Sequence, residues 1–293
     1  MYTIDLRADK SENIPYNFRT YPIYVREALL SSYLNYEAAP HWHDDLEFLL
    51  VLSGEMSYNV NGEVLVLHAG EGIYVNSRQL HHGFSKERNE CKFICVVLHP
   101  LLLCITREFE QDYVLPLLEN PNLAHLKLTD RIPWQKEILQ FISDAHQMSG
   151  EKNAPLHIVS LFLKTWTLLH ENIGTLATPK VQNADLFLLK TMMSFVQKHF
   201  REKITLADIA ASGAVGQSKC CKLFSHYIQC TPNAYLIRYR LEKSLWYLEN
   251  TTDSITEIAQ NVGFSGSSYF AETFQKYFHQ SPSARRKSVH SKV

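Results

Sequence analysis

One segment in the second half of the chain occurs twice. Phe224-Ser-His-Tyr-Ile-Gln-Cys-Thr-Pro232 returns 50 residues later as Phe274-Gln-Lys-Tyr-Phe-His-Gln-Ser-Pro282. Upstream of each, Leu206-Ala-Asp-Ile-Ala210 is matched by Ile255-Thr-Glu-Ile-Ala259. Each copy reads as a short helix, a turn (Ser212-Gly213-Ala214 or Asn261-Val262-Gly263) and a second helix. That is a helix-turn-helix, with Ala at a close helix crossing and Gly in the turn. Two copies are too few for a solenoid. Between them, Pro232 to Glu249 predicts a helix burying Tyr235, Leu236, Tyr239, Leu241, Leu245 and Leu248. A stiff strut of this kind can set two recognition helices about one duplex turn (~34 Å) apart.

Charge divides at the same place. The 293 residues, enough for about two domains, hold 29 Lys+Arg and 30 Asp+Glu, and the net of −1, taken alone, speaks against a nucleic-acid partner. Residues 185–293, however, carry 14 Lys+Arg against 8 Asp+Glu, a net of +6, which leaves −7 on residues 1–184. A basic back half implies an anionic partner. The first ten residues lack the apolar core of a signal peptide. The greasiest stretch, Cys91 to Thr106, is broken by Lys92, His99 and Pro100, so no membrane span is expected. The six cysteines include no Cys-x-x-Cys pair, which fits a reducing cytoplasm.

The front half reads as strands. Leu46 to Ser53 is an apolar run ending at Gly54; Met56–Val60 and Glu63–Leu67 flank Asn61-Gly62, a tight-hairpin signal. Ile73–Val75 and Lys92–Leu98 follow, and the spacing predicts an antiparallel barrel or sandwich. From about residue 133 the period becomes helical, with Trp134, Ile138, Phe141, Ile142 and Ala145 on one face and a second helix over 155–171. The second helix carries Ile158, Val159, Leu161, Phe162, Leu163, Trp166, Leu168 and Leu169. That is more apolar surface than one barrel contact needs, so a homodimer interface is expected. The expected organisation is α+β and multidomain: an antiparallel barrel over 1–130, a helical dimerisation segment over 131–173, a linker over 174–184, and an all-α domain over 185–293.

The segment from about 190 to 287 resembles the DNA-binding domain of the AraC/XylS family of bacterial transcription regulators. The matching residues are Ile204-Thr-Leu206, Asp208-Ile-Ala210, Leu223-Phe224, Thr231-Pro232, Arg240-Leu241, Ile258-Ala259, Gly263-Phe264, Ser268-Tyr-Phe270, Phe274, Tyr277 and Ser281-Pro282. The resemblance implies two helix-turn-helix units joined by one long helix, with recognition helices over about 216–227 and 266–278 entering adjacent major grooves of an operator. The residues expected to face DNA are Gln217, Ser218, Lys219, Cys221 and Lys222, then Ser267, Ser268, Ala271, Glu272 and Lys276. Hydroxyls, Lys and Glu can read base edges, whereas Lys219, Lys276 and the run Arg285-Arg-Lys287 suit phosphates. Cys220 stands where the family usually has a core leucine, Glu272 where a basic residue is common, and Gln229-Cys230 replaces a usual glycine.

In the acidic half, His41-Trp-His43, Glu47, Gly54, Gly70 and His81 are similar to the two motifs of the cupin barrel, with Asn76 and Arg78 where proline and glycine are usual. In metal-binding cupins three such histidines and the glutamate surround one divalent ion. AraC-like regulators often keep the pattern without one, so no metal or other cofactor is expected here. The favoured reading is an effector site made by His41, Trp42, His43, Glu47 and His81, for a small molecule such as a sugar. The whole is then a cytoplasmic homodimeric regulator, an activator working with RNA polymerase. The rival, a metal-dependent cupin enzyme with a DNA-binding tail, rests on the His/His/Glu/His set alone; no nucleophile–base pair, phosphate loop or dinucleotide fingerprint supports catalysis.

Overall fold

The computed structural model describes residue 4 and residues 12–18, 20–173 and 184–290. They form two compact units, the second beginning at Ala184. The predicted linker over 174–184 lies, up to Asn183, outside the described residues.

The first unit is built from seven antiparallel strands: β1 (Ile23–Leu29), β2 (Leu46–Val60), β3 (Glu63–His68), β4 (Gly72–Val75), β5 (His81–Phe84), β6 (Cys91–Leu98) and β7 (His125–Leu128). One sheet runs β1-β6-β2-β4-β7, while β3 and β5 pair with the far half of β2. The strand expected to stop at Gly54 therefore continues to Val60 and serves both sheets. Its register against β6 shifts between Val51 and Ser53, and Gly54 there has φ of +77°. An extra residue of this kind bends a strand and reverses which side chains face inward. Glu47, Leu49 and Val51 face the interior before the shift, and Met56, Tyr58 and Val60 after it. The predicted hairpin is present: Asn61 (φ 51°) and Gly62 (φ 92°) form the turn between β2 and β3, as the twist of paired strands favours.

The other face of the first sheet explains why Leu46 to Val51 is apolar throughout. Leu46, Phe48 and Leu50 join Tyr74, Ile94 and Val96 against two helices, α3 (Pro133–Met148) and α4 (Ala154–Ile173). A sheet covered on both faces loses the alternating pattern. Before these helices, α1 (Arg107–Phe109) and α2 (Leu115–Leu118) flank a wide turn over 110–114. Ile158, Phe162, Trp166 and Leu169 of α4 are buried, and Val159, Leu161, Leu163 and Leu168 pack half-buried on the same core. Most of the apolar excess expected at a subunit interface is thus used inside the unit, and Leu156, 71% exposed, is the apolar residue of α4 left facing out.

The second unit is all helical: α5 (Ala184–His199), α6 (Leu206–Ser212), α7 (Gln217–Ile228), α8 (Pro232–Asn250), α9 (Ile255–Asn261), α10 (Ser267–Phe278) and α11 (Pro282–His290). The repeat is structural down to its caps. α6 opens with a capping box between Thr205 and Asp208, α9 with one between Ser254 and Glu257, each satisfying two amides that a helix start leaves bare. Thr231 and Ser281 accept from the amides of Ala234 and Ala284, with Pro232 and Pro282 next, where the missing N–H costs nothing. Both recognition helices end on a left-handed residue, Gln229 (φ 54°) and His279 (φ 57°); Gln229 thus takes over the conformation for which glycine is usual. Cys220 is fully buried, which makes it a packing residue, and burial and the neighbouring Cys221 push its thiol up to about 11.

Candidate functional site

The strand register of the first unit gathers the four residues singled out by spacing. His41 and His81 face each other as a bridge pair, each amide donating to the other's carbonyl (3.1 and 2.9 Å). Their rings consequently lie 4.4 Å apart, with His43 at 5.8 and 4.9 Å from them. Glu47 enters from β2, and one ligand atom from each of His41, His43, Glu47 and His81 lies within 4.8 Å of the others, all four residues being buried.

The ring orientations are fixed from behind. The Nδ1 atoms of His41, His43 and His81 meet the carbonyl oxygens of Ala39 (2.8 Å), Asp45 (3.0 Å) and Gln79 (2.9 Å). A carbonyl only accepts, so each Nδ1 carries a proton and each ring turns its Nε2 toward the cluster. Those Nε2 atoms point at carboxylates: His81 and His43 lie 3.3 and 3.6 Å from Glu47, and His41 lies 3.5 Å from Glu12. His43 Nε2 has no hydrogen-bond partner. Tyr58 donates its hydroxyl to Glu47 Oε1, leaving Oε2 to the imidazoles. Burial opposes charge on Glu47, but the attraction of His81 and His43 holds its carboxyl well below the usual range. Burial likewise opposes the proton on His43, and Glu47 overrides it, raising its affinity. His41 is driven well down by burial and by its two neighbouring rings.

Beside the cluster lies a cavity of about 50 Å³ between β1, β6 and β2, room for several water-sized groups. His41, Glu47, Glu12, Arg26, Tyr58 and Cys95 give it polar walls, and Leu49, Met56 and Phe93 apolar ones. Trp42, expected as a wall, is half-buried and does not line it. Glu12, Arg26, Tyr58 and Cys95 were not singled out from sequence. The unusual second motif is compensated. Arg78 adopts φ of 63°, as the customary glycine would, and the Asn76 amide donates to the carbonyls of Leu117 (2.9 Å) and Leu123 (2.9 Å).

In the second unit Gln217, Ser218, Lys219 and Lys222 are exposed on α7, with Cys221 half-buried; on α10, Ser268, Glu272 and Lys276 are exposed, with Ser267 and Ala271 half-buried. Lys219 pairs with Asp185 at 2.8 Å, an exposed pair worth about 0–1 kcal/mol that a phosphate can displace. Tyr269, 49% exposed on α10, joins this face without having been singled out. Arg285 and Arg286 turn inward to Glu249 and to the Asp253 carbonyl, so of the basic run Lys287 alone is exposed.

A model of a helix-turn-helix domain matches residues 209–288, and one of a cupin domain matches residues 35–97. The HTH-type transcriptional regulator YdeC of Bacillus subtilis is 30% identical over 268 residues, covering 91% of this chain and 92% of that protein. The melibiose operon regulatory protein of Escherichia coli K12 is 22% identical over 258 residues, covering 84% and 83%. The crystal structure of ToxT from Vibrio cholerae aligns over 92% of this chain and 98% of that one, at 13% identity and a TM-score of 0.46. A cupin-type unit followed by two helix-turn-helix units defines a DNA-binding transcription regulator. The chain belongs to the AraC/XylS family.

Proposed function

We propose that this protein binds a specific DNA operator through α7 and α10, under control of a small oxygen-rich effector, a sugar among the candidates, held in the cupin cavity. The observation that carries the reading is the paired exposure of two like-capped recognition helices on a unit of net charge +6. The proposed division is a sensing barrel over 1–130, helices over 131–173 and a DNA-binding domain over 185–293. Gln217, Ser218, Cys221, Lys222, Ser267, Ser268, Ala271 and Glu272 read bases, while Lys219 and Lys276 hold phosphates. His41, Glu47 and Arg26 hold the effector, His43 and His81 stand behind them, and Trp42 contributes by backbone: its carbonyl accepts from Glu12 at 2.8 Å. The effector acts by differential affinity for two states of the regulator, which works in the cytoplasm as an activator of RNA polymerase. Among the described residues no helix is long and apolar enough to cross a membrane.

Sequencing the genomic fragments retained by the full chain tests the reading; a random set of fragments overturns it. On the operator so found, Lys222→Ala is expected to weaken binding by about 1–3 kcal/mol and to lower the salt slope by about 1 if it holds a phosphate instead of a base. Unchanged affinity and slope in a gel-shift series remove Lys222 from the interface. The proposed dimer forms over the outer face of α4, so Leu156→Asp is expected to sediment as a monomer. A persisting dimer places the interface elsewhere.

A further inference from the structure

The cavity beside the buried cluster changes character along its length. Strand pairing sets three rows of side chains on the wall shared by β1, β6 and β2. The first holds Tyr24, Val97 and Glu47, the second Arg26, Cys95 and Leu49, the third Ala28, Phe93 and Val51. Charge is confined to one end. His41 lies beside Glu47 of the first row, Glu12 lies 3.5 Å from the His41 ring, and Arg26 follows in the second row. Cys95 is within electrostatic reach of Glu47, Glu12 and Arg26 alike. The other end is apolar: Ala28, Leu30, Leu49, Met56 and Phe93 belong to one packed cluster and all line the cavity, and the Tyr33 ring stacks on Phe93 at 6.4 Å. A sugar carries hydroxyls around its whole ring. Seated here, it would turn some of them against side chains that do not replace their lost water.

We propose that the cavity takes a small zwitterion with an apolar tail, an aliphatic α-amino acid of the size of valine or leucine. The two signs of charge at the polar end decide the head group. Glu47 has its Oε1 engaged by Tyr58 and its Oε2 turned to the His43 and His81 rings, so Glu12 is the carboxylate that the ammonium meets. Arg26 meets the ligand's carboxylate, whose paired oxygens suit a guanidinium fork. A neutral head would leave both protein charges unanswered. A zwitterion answers each and adds no net charge to a buried space. Volume limits the tail. At about 10–15 Å³ per water-sized group, the 50 Å³ of the cavity hold about three to five such groups, which suits a short branched chain below the head and not an indole. The inference rests on the reading of this cavity as the effector site, and it takes a carboxylate in place of a sugar's hydroxyls as the oxygen-bearing head.

The full-length protein, melted with L-valine, L-leucine, L-alanine, D-glucose and two incomplete forms of leucine, tests it. The incomplete forms are 4-methylpentanoate, which lacks the amino group, and 3-methylbutylamine, which lacks the carboxylate. Valine and leucine are expected to raise the melting temperature of the first unit. Alanine should bind at least about tenfold more weakly than valine, since each buried methylene contributes about fourfold. Each incomplete form should bind about 10–100-fold more weakly than leucine. Arg26→Gln and Glu12→Gln should weaken valine binding by a similar factor, and Ala28→Leu, which fills the apolar end, should remove it; the two polar variants serve if Ala28→Leu does not fold. Equal shifts from leucine and 4-methylpentanoate overturn the zwitterion. So does a valine shift that survives all three substitutions, which would seat the amino acid outside the cavity, and so does the absence of any shift with valine and leucine. A shift with glucose alone overturns the inference and leaves the cavity as an effector site. A valine shift with operator affinity unchanged does the reverse: the ligand class stands and the effector reading falls.

Discussion

Gly54→Ala is expected to destabilise the first unit by about 3 kcal/mol, combining the cost of a left-handed non-glycine residue with that of overpacking against fixed atoms. Gly54 has φ of +77°, and a Cβ there would sit 2.1 Å from the carbonyl oxygen of Glu90 and 3.2 Å from Cys91 Cα. Both neighbours are backbone, so no side chain can swing away. The damage should reach the buried cluster, because the register shift just before Gly54 is what turns Glu47 and Tyr58 of one strand toward the same interior. A melt followed by tryptophan emission isolates the effect, since Trp42, Trp134 and Trp166 lie in this unit and Trp246 in the other. The transition of the first unit should move down with the Trp246 signal unmoved. A variant melting like the wild type would show that Glu90 can retreat and that the bend does not need glycine.

Legibility from sequence followed the range of the interactions concerned. The second unit is made of local signals: the repeat, the Thr-Pro and Ser-Pro starts and the helical period all lie within single elements, and α7, α8 and α10 fall within a residue or two of their expected bounds. His41, His43, Glu47 and His81 were legible as a motif because two short segments carry them. What surrounds them was not. Tyr58 falls in a strand legible from sequence, yet its contact with Glu47 depends on a parity change that no pattern of apolar residues reveals. Glu12 and Arg26 arrive from segments far from either motif. β1, β5 and β7 went unrecognised because each gains its identity from a partner distant in sequence, β6, β2 and β4 respectively. Arg285 and Arg286 read as a basic surface run, and only the end of α8 shows why they turn inward.

The two turns of the repeat give the second large effect, because one geometry is met by different residues. Ala214 and Gly263 occupy equivalent positions with φ of 51° and 85°. Ala214 is exposed, so Ala214→Gly should relieve backbone strain alone and stabilise the second unit by about 1 kcal/mol. Gly263 has a further reason to be glycine: a Cβ there would lie 2.3 Å from the Phe200 carbonyl oxygen and 3.0 Å from Arg201 Cα. That carbonyl also accepts from Arg240 Nε at 2.7 Å, while Arg240 Nη2 donates to the Glu202 carbonyl at 2.8 Å. The C-terminal end of α5, the strut α8 and the turn before α10 therefore meet at one backbone oxygen, and pushing the turn away disturbs the half-buried guanidinium as well. Gly263→Ala is expected to cost about 3 kcal/mol and to lower operator affinity through the second recognition helix more than through the first. Trp246 emission reports the stability and footprinting reports which half of the site is lost. If Gly263→Ala costs no more than Ala214→Gly gains, the glycine serves only its φ angle, and the close approach to Phe200 does not hold the two helix-turn-helix units together.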